Sequence, residues 1–228
     1  MAGDARGLPR RLAPAGGEQA LGEDAPIAGP DRVTAASVAA ERRIVLVRHA
    51  RSAHVHAGWI DAAAFRAWRQ AYEAAGILPD ERAPADLEQL VASADLVLSS
   101  DAPRATDSAR LLAPEREPVV SPLLRELDLE GPSLGGLSLP LAAWAVAVGA
   151  RALALTLRGR YPAPAETVRI DRAASWLDEL ATRHSLVVAV THASFRRRLS
   201  PRLVQMGWQV TPGRRTLRHW SAWTFRRR

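Results

Sequence analysis

Three short apolar segments constrain the fold of this chain more than any other feature. Unbroken apolar runs, rich in β-branched residues, occupy residues 44–47, 96–98 and 186–190. This pattern is typical of strands that are buried on both faces of a parallel sheet. Helical periodicity fills the stretches between them, so strands and helices alternate along the chain. The sequence therefore predicts a three-layer α/β/α sandwich with a mostly parallel central sheet.

Each of these runs leads into groups that can hold or attack a phosphate. Arg48 and His49 follow the first run, Arg104 lies in the first turn of a predicted helix after the second, and His192 follows the third. The carboxyl ends of parallel strands lie along one edge of a sheet, where ligands bind. A neutral imidazole can attack phosphorus, and a guanidinium binds phosphate oxygens. The pattern predicts a phosphate site at this edge.

Four segments in this order resemble the histidine phosphatase superfamily, also called the phosphoglycerate mutase-like family. They are residues 46–49, 99–109, 124–126 and 190–192, and the match spans residues 43 to about 200. The resemblance implies a phosphoglycerate mutase-like α/β sandwich. It also implies phosphoryl transfer through a phosphohistidine intermediate.

The resemblance assigns a role to each residue of the expected site. His49 would attack phosphorus, while Arg48, Arg104 and a second catalytic imidazole, His192, would hold the phosphoryl oxygens. Glu126 would protonate the leaving oxygen and then help to activate water, without a metal or cofactor. Two nearby carboxylates, Asp128 and Glu130, are alternatives for the acid, and Ser52 is a further candidate to donate to the phosphate.

The chain departs from the family pattern at several positions. Ala50 and Ala193 stand where glycine usually follows each histidine, and alanine disfavours a positive φ. Val55 stands near the position of a frequent asparagine, and residues 130–133 replace the usual glycine-tryptophan-glutamate-glycine run. These differences leave the identity of the substrate open.

The function expected from these residues is metal-independent hydrolysis of a small phosphorylated metabolite, with the phosphoryl group carried by His49. Three alternatives stay open at this point. The chain could be a phosphohistidine or phosphoprotein phosphatase, a phosphoglycerate mutase-type phosphotransferase, or a degenerate relative that binds phosphate without turnover. The long segment 113–165 would discriminate between leaving groups if it covers the pocket.

Composition narrows the classes of partner. The chain has no cysteine, which excludes disulfides and thiolate chemistry and agrees with a cytoplasmic location. Its net charge of +7 comes from arginine with no lysine, a compositional bias that is weak evidence for nucleic-acid binding. No apolar segment is long enough to predict a membrane span. A homo-oligomer is an open option, through residues 139–157 or the tryptophan-rich end.

The chain divides into a predicted flexible tail, residues 1–41, and a catalytic domain, residues 42–228, with a helical and loop insert around 113–165. Asp61 should cap a helix that Gly76 ends, and Pro201 is expected to break or restart a later helix. Six further side chains are interpreted without a catalytic role. Phe65, Trp68 and Tyr72 should form a helix's core stripe, His54 and His56 should be solvated or line the pocket rather than bind a metal, and His219 should lie at the surface or an interface.

Overall fold

The computed structural model describes residues 41–213 and 215–228, where strands and helices alternate as the sequence predicts. The strands are β1 (Arg42–Arg48), β2 (Trp59–Ile60), β3 (Leu96–Ser100), β4 (Val119–Ser121), β5 (Leu139–Pro140), β6 (Leu186–Thr191), β7 (Gln209–Val210) and β8 (Ala222–Arg227). The helices are α1 (Ala62–Ala74), α2 (Ala85–Ala92), α3 (Pro103–Leu112), α4 (Leu141–Leu157), α5 (Pro164–Arg183) and α6 (Ala193–Gln205). A short 3-10 helix, Pro122–Leu124, follows β4.

A six-stranded sheet in the order β4-β3-β6-β1-β8-β7 forms the centre of the molecule. The first four of these strands are parallel to one another. Strand β8 pairs antiparallel with β1, and β7 pairs antiparallel with β8. The prediction of a mostly parallel sheet is confirmed.

Both faces of this sheet are covered by helices, which confirms the three-layer sandwich. Side chains of β1 alternate between the two faces: Ile44 and Leu46 join the core under α5 and α6, whereas Val45 and Val47 join the core under α2 and α3. All four are fully buried. Burial on both faces explains why the strand is continuously apolar rather than alternating.

Asp61 caps α1 as predicted, because its carboxylate accepts a hydrogen bond from the Ala64 N–H at 2.8 Å. Helix α1 ends at Ala74, with Ala75 as its cap, so the predicted end of the helix just before Gly76 is confirmed. Gly76 itself has no positive φ. A Cβ at Gly76 would instead lie 2.4 Å from Oδ2 of Asp107, so the position excludes larger residues by close approach.

Pro201 does not break its helix, contrary to expectation. Helix α6 runs without interruption from Ala193 to Gln205 with Pro201 inside it. One face of the helix buries Phe195, Leu199 and Leu203 against the sheet. We infer that this burial compensates for the backbone hydrogen bond that proline cannot donate.

A small separate core joins α1 to α4 beside the main sandwich. Its buried members are Ile60, Phe65 and Trp144, and the Trp144 indole donates to the Ile60 carbonyl at 2.8 Å. No helix in the described part of the chain is long and apolar enough to span a membrane. The predicted tail, apart from Glu41, lies outside the described residues, and the division at 41/42 and the insert 113–165 stay predictions.

Candidate active site

The parallel register of β1 and β6 brings the two predicted histidines together. Arg48, the last residue of β1, lies opposite Thr191, the last residue of β6, so the next residue of each strand is a histidine at the same edge. The imidazole ring centroids of His49 and His192 are 5.0 Å apart. Both side chains are almost completely buried, with 2% and 0% exposed.

The backbone determines which nitrogen of His49 carries a proton. Its Nδ1 lies 2.7 Å from the Ala50 carbonyl oxygen. A carbonyl can only accept, so Nδ1–H donates and Nε2 keeps its lone pair. Burial, with the positive charge of Arg104 next in importance, holds the pKa of His49 well below its ordinary value. The side chain is therefore a neutral imidazole with Nε2 available as a nucleophile.

His192 has the opposite tautomer. Its Nδ1 lies 3.4 Å from Nη2 of Arg104, which can only donate, so Nδ1 accepts. Its Nε2–H then donates to the Ser100 hydroxyl at 2.9 Å. Burial, followed by His49 and Arg104, holds the pKa of His192 well below its ordinary value. Ser100, at the end of β3, thus orients the second imidazole.

Arg104 lies in the first turn of α3, as predicted, and only 1% of it is exposed. Its guanidinium donates to the Tyr72 carbonyl at 3.1 Å and to the Glu73 carboxylate at 3.1 and 3.3 Å. The guanidinium carbon also lies 4.4 Å from the centroid of the Tyr72 ring. Arg104 is consequently held between His192 and the end of α1 before any phosphate binds.

Arg48 is tied to the loop before β8. Its guanidinium donates to the Leu217 carbonyl, while its backbone bonds to Trp220 and Ser221. Within the described residues, its buried Nε has no partner. Burial lowers the pKa of Arg48, although Tyr72 and Glu126 oppose this shift. An anion at the site would offset the cost of burying this cation.

The Glu126 carboxylate lies at the N-terminus of α6, the helix that begins directly after His192. Its carboxylate accepts from the N–H groups of Ser194 at 3.2 Å and Phe195 at 2.8 Å, and from the Leu127 N–H at 2.9 Å. The Ser194 and Phe195 N–H groups belong to the first turn of α6 and otherwise lack an intrahelical acceptor. Burial raises the pKa of Glu126 in spite of these bonds. The carboxyl is half-buried and shifted toward its protonated form.

The backbone that carries Glu126 is held by Arg169 of α5, a residue that sequence reasoning missed. Its guanidinium donates to the carbonyls of Leu123 at 3.0 Å, Arg125 at 2.8 Å and Glu126 at 3.3 Å. The Thr191 hydroxyl adds a bond to the Leu124 carbonyl at 2.7 Å. A half-buried arginine that bonds three carbonyls of one distant segment has no local sequence signal.

The two alternative carboxylates lie elsewhere. Asp128 is 83% exposed at its side chain and pairs with Arg69 at 3.3 Å. Glu130 is exposed as well. Of the three carboxylates, Glu126 is therefore the one that the fold brings beside the histidines.

A third imidazole, His219, lies beside His49, a contact that the predicted surface or interface position did not anticipate. The ring centroids of His219 and His49 are 5.6 Å apart, and His219 is half-buried. Burial, together with the positive charge of Arg48, lowers the pKa of His219 to about 4. The next residue, Trp220, has φ 61°, and its indole donates to Glu81 at 2.8 Å. This anchored turn directs His219 inward.

The alanines after the two histidines cause no backbone strain. Among the described residues other than glycine, only Trp220 has a positive φ, so neither Ala50 nor Ala193 needs the conformation that glycine favours. The Ala50 N–H donates to the Ser108 hydroxyl at 2.9 Å, which joins the turn after β1 to α3. The departures from glycine are compatible with this site geometry.

Ser52 and the neighbouring histidines lie on the chain that leaves His49. Ser52 is buried, pairs with Ile77 in an isolated β-bridge and accepts from the His54 N–H at 3.2 Å. The His54 ring packs 5.6 Å from Trp68, whereas His56 is exposed. Across residues 41–213 and 215–228, no group of three or more metal-ligating side chains converges.

The aromatic stripe of α1 is only partly core, so that prediction needs correction. Phe65 is buried, but Trp68 and Tyr72 are half-buried and line a cavity of about 630 Å³ between α1 and α4. Glu126 lines the same cavity. The stripe therefore reaches from the small core to the candidate site.

Comparisons with known proteins were made for the whole chain. Neither a protein-family model nor a curated protein matches it. Among solved structures, it is similar to a mycobacterial hydrolase, at 24% identity and a TM-score of 0.48 over 72% of this chain and 73% of that one.

Two further solved structures are phosphatases. A phosphoserine phosphatase from Entamoeba histolytica is 14% identical, with a TM-score of 0.48 over 80% of this chain and 89% of that one. A mycobacterial glucosyl-3-phosphoglycerate phosphatase is 20% identical, with a TM-score of 0.44 over 72% and 83% of the two chains. At such identities and scores, the function has to be argued from the site itself.

Proposed function

We propose that this protein hydrolyses phosphomonoesters of small molecules through a phosphohistidine intermediate on His49, without a metal ion. The observation that carries the proposal is the hydrogen bond from Nδ1 of His49 to the Ala50 carbonyl. That bond leaves the Nε2 lone pair unprotonated, in a buried site that also holds Arg104 and a second neutral imidazole.

In the first half of the reaction, Nε2 of His49 attacks phosphorus and the bond from phosphorus to the leaving oxygen breaks. The protonated carboxyl of Glu126 gives its proton to that oxygen, which departs as an alcohol. The products of this half are phosphohistidine and the Glu126 carboxylate.

In the second half, the Glu126 carboxylate takes a proton from a water molecule, and the water oxygen attacks phosphorus. The bond from phosphorus to Nε2 breaks, which returns neutral His49, inorganic phosphate and protonated Glu126. Every proton and electron pair is thus recovered within one cycle.

The remaining groups stabilise charge on the phosphoryl oxygens. Arg104 and Arg48 supply fixed cations, and His192 lies against both Arg104 and His49. The site is largely dehydrated because His49, Arg104 and His192 are at most 2% exposed. Charge stabilisation is stronger in such a site than in water.

The shifted pKa values support this division of roles. The mechanism needs an unprotonated histidine and a protonated carboxyl at the same pH. With ordinary pKa values, these two forms would hardly ever coexist. Burial lowers the pKa of His49 and raises the pKa of Glu126, so the two required forms coexist more readily.

A second candidate function is phosphate binding without turnover, which the position of Glu73 favours. Both oxygens of its carboxylate accept from Nη2 of Arg104, Oε1 at 3.1 Å and Oε2 at 3.3 Å. A permanently paired Arg104 would be less able to stabilise the transition state. A phosphorylated small molecule is the expected partner under either function. The cytoplasmic location of the protein stays a prediction.

The first test is phosphate release from 4-nitrophenyl phosphate in the presence of a chelator, comparing the wild type with His49→Ala. The proposal expects turnover that survives chelation and is lost in the variant. Turnover in His49→Ala at the wild-type rate would refute the role of His49. Phosphate binding with no turnover in either protein would favour the second candidate.

A further inference from the structure

The cavity between α1 and α4 begins at the residue proposed to protonate the leaving group. Glu126, Tyr72 and Glu73 line it, and the last two also hold Arg104. In an in-line displacement the leaving group lies on the side of phosphorus opposite the nucleophile, next to the acid that protonates it. A phosphate held at His49 would therefore direct its leaving group into this cavity of about 630 Å³.

One wall of the cavity is a face of α4 made from small and apolar residues. Ala145, Val148, Gly149 and Ala152 line it. Gly149 lies inside the helix, where glycine is less favourable than alanine. A Cβ placed there would meet no atom within 4 Å, so neither packing nor backbone conformation requires a glycine. Its effect is to leave space in the cavity.

The opposite wall is a row of stacked aromatic rings. The centroids of Phe65 and Trp68 lie 6.0 Å apart, and those of Trp68 and Tyr72 lie 5.1 Å apart. Trp144 of α4, which does not line the cavity, packs 4.5 Å from Phe65 at one end of the row, and the Arg104 guanidinium lies over Tyr72 at the other end. Aromatic faces favour apolar or aromatic partners. The row thus connects the phosphate-binding arginine to an apolar space.

Of the three arginines at the cavity, only Arg69 forms an ion pair with a carboxylate of the described residues. Arg69 bonds to the Leu129 carbonyl and to Asp128. Arg198 donates to the Thr156 hydroxyl at 2.6 Å, and its guanidinium lies 5.2 Å from the Tyr161 ring. The third, Arg197, is exposed. The Glu73 carboxylate also lines the cavity, and it is the apolar walls rather than these cations that favour an uncharged leaving group.

We propose that this cavity is the leaving-group site and that the substrates are phosphomonoesters with an apolar, uncharged leaving group, an alkyl chain or an aromatic ring. The inference rests on the proposed function, because it takes the phosphoryl group to bind at His49. It narrows the substrate class to esters whose leaving group is removed from water in the cavity.

The test measures equilibrium binding of n-alkyl phosphonates, which cannot be hydrolysed, by titration calorimetry. Burial of four more methylenes should make hexyl phosphonate bind at least about tenfold more tightly than ethyl phosphonate. In Gly149→Trp the indole would fill the cavity, and the two ligands should then bind with similar affinities. Ala145→Leu, a smaller addition to the same wall, should reduce the difference partly.

The matched control is Ala150→Trp, which adds the same side chain to the next residue of α4, exposed and outside the cavity. It should keep the wild-type dependence on chain length. A charged analogue provides the contrast: 3-carboxypropyl phosphonate should bind more weakly than butyl phosphonate.

Equal binding of ethyl and hexyl phosphonate by the wild type would overturn the inference, as would tighter binding of the carboxylate analogue or no effect of Gly149→Trp. Hydrolysis of 4-nitrophenyl phosphate that persists alongside such a result would leave the proposed function intact. Conversely, chain-length-dependent binding without turnover of any ester would support the cavity's role and count against hydrolysis.

Discussion

The candidate site has two sides that are built differently. The strand-end side consists of His49, His192 and Arg104, each at most 2% exposed. His49 bonds to the Ala50 carbonyl, His192 to Ser100 at the end of β3, and Arg104 to the end of α1. The helix side consists of α1 and α4, where Leu153 of the cavity wall is 61% exposed. The sheet holds the groups that react, and the helices surround the group that leaves.

This difference indicates which residues tolerate change. Substitutions on the strand-end side alter buried, hydrogen-bonded groups and should change the chemistry. Substitutions on the helix side alter a half-exposed wall of small residues and should change the choice of substrate. The contrast should be measurable at Glu126, Arg104 and Glu73, where the two sides meet.

The largest effect is expected for Glu126→Gln, which removes the proposed acid but keeps an acceptor for the N–H groups of α6. The kcat/KM for phenyl phosphate, whose leaving oxygen needs a proton to depart, should fall about a hundredfold or more. As a control, Asp128→Asn changes an exposed carboxylate of the same segment and should leave kcat/KM near the wild-type value.

The pH dependence sharpens the same prediction. As pH rises from acid values, kcat/KM should increase as His49 loses its proton, below the ordinary pKa of histidine. It should decrease again as Glu126 loses its proton, above the ordinary pKa of a carboxyl. Glu126→Gln should lack this decrease, and an unchanged profile in the variant would remove Glu126 as the acid.

A smaller but still large effect is expected for Arg104→Ala. Loss of charge-assisted contacts to the phosphoryl group should cost about 2 kcal/mol or more, which is roughly thirtyfold in kcat/KM and in inhibition by phosphate. Arg110→Ala, on the exposed face of the same helix, is the matched control. Unchanged phosphate inhibition in a folded Arg104→Ala protein would show that Arg104 does not hold the anion.

The smallest effect is expected for Glu73→Gln and has the opposite sign. Glu73 is half-exposed and competes with phosphate for Arg104. Its neutralisation should tighten phosphate binding by about two- to fivefold, the range of a partly exposed ion pair. Glu117→Gln, which breaks the exposed pair with Arg110, should leave phosphate affinity as it was. Weaker phosphate binding in Glu73→Gln would mean that Glu73 positions Arg104 rather than competing for it.

Local sequence signals were sufficient for the strand-end side. Continuous apolar runs predicted β1, β3 and β6 because strands buried on both faces have no polar alternation. Since parallel strands end at a common edge, the positions of His49 and His192 after two such runs predicted that they would meet. The choice of Glu126 over Asp128 needed the fold, because the sequence places both in the same loop.

Tertiary contacts explain what the sequence did not predict. His219 reaches His49 through a turn that is stabilised by Trp220, Glu81 and Arg48, residues far apart in the chain. Glu73 meets Arg104 only because the end of α1 packs beside α3. Trp68 and Tyr72 share the spacing of buried Phe65, so periodicity alone could not show that they line a cavity.

The most direct test of the central claim is detection of phosphohistidine during turnover. Wild-type protein mixed with 4-nitrophenyl phosphate would be quenched in alkali within one turnover, digested, and examined by mass spectrometry. The account predicts that the peptide containing His49, and not the one containing His192 or His219, gains one phosphoryl group. Rapid phosphate release with no phosphorylated His49 at any quench time would contradict it.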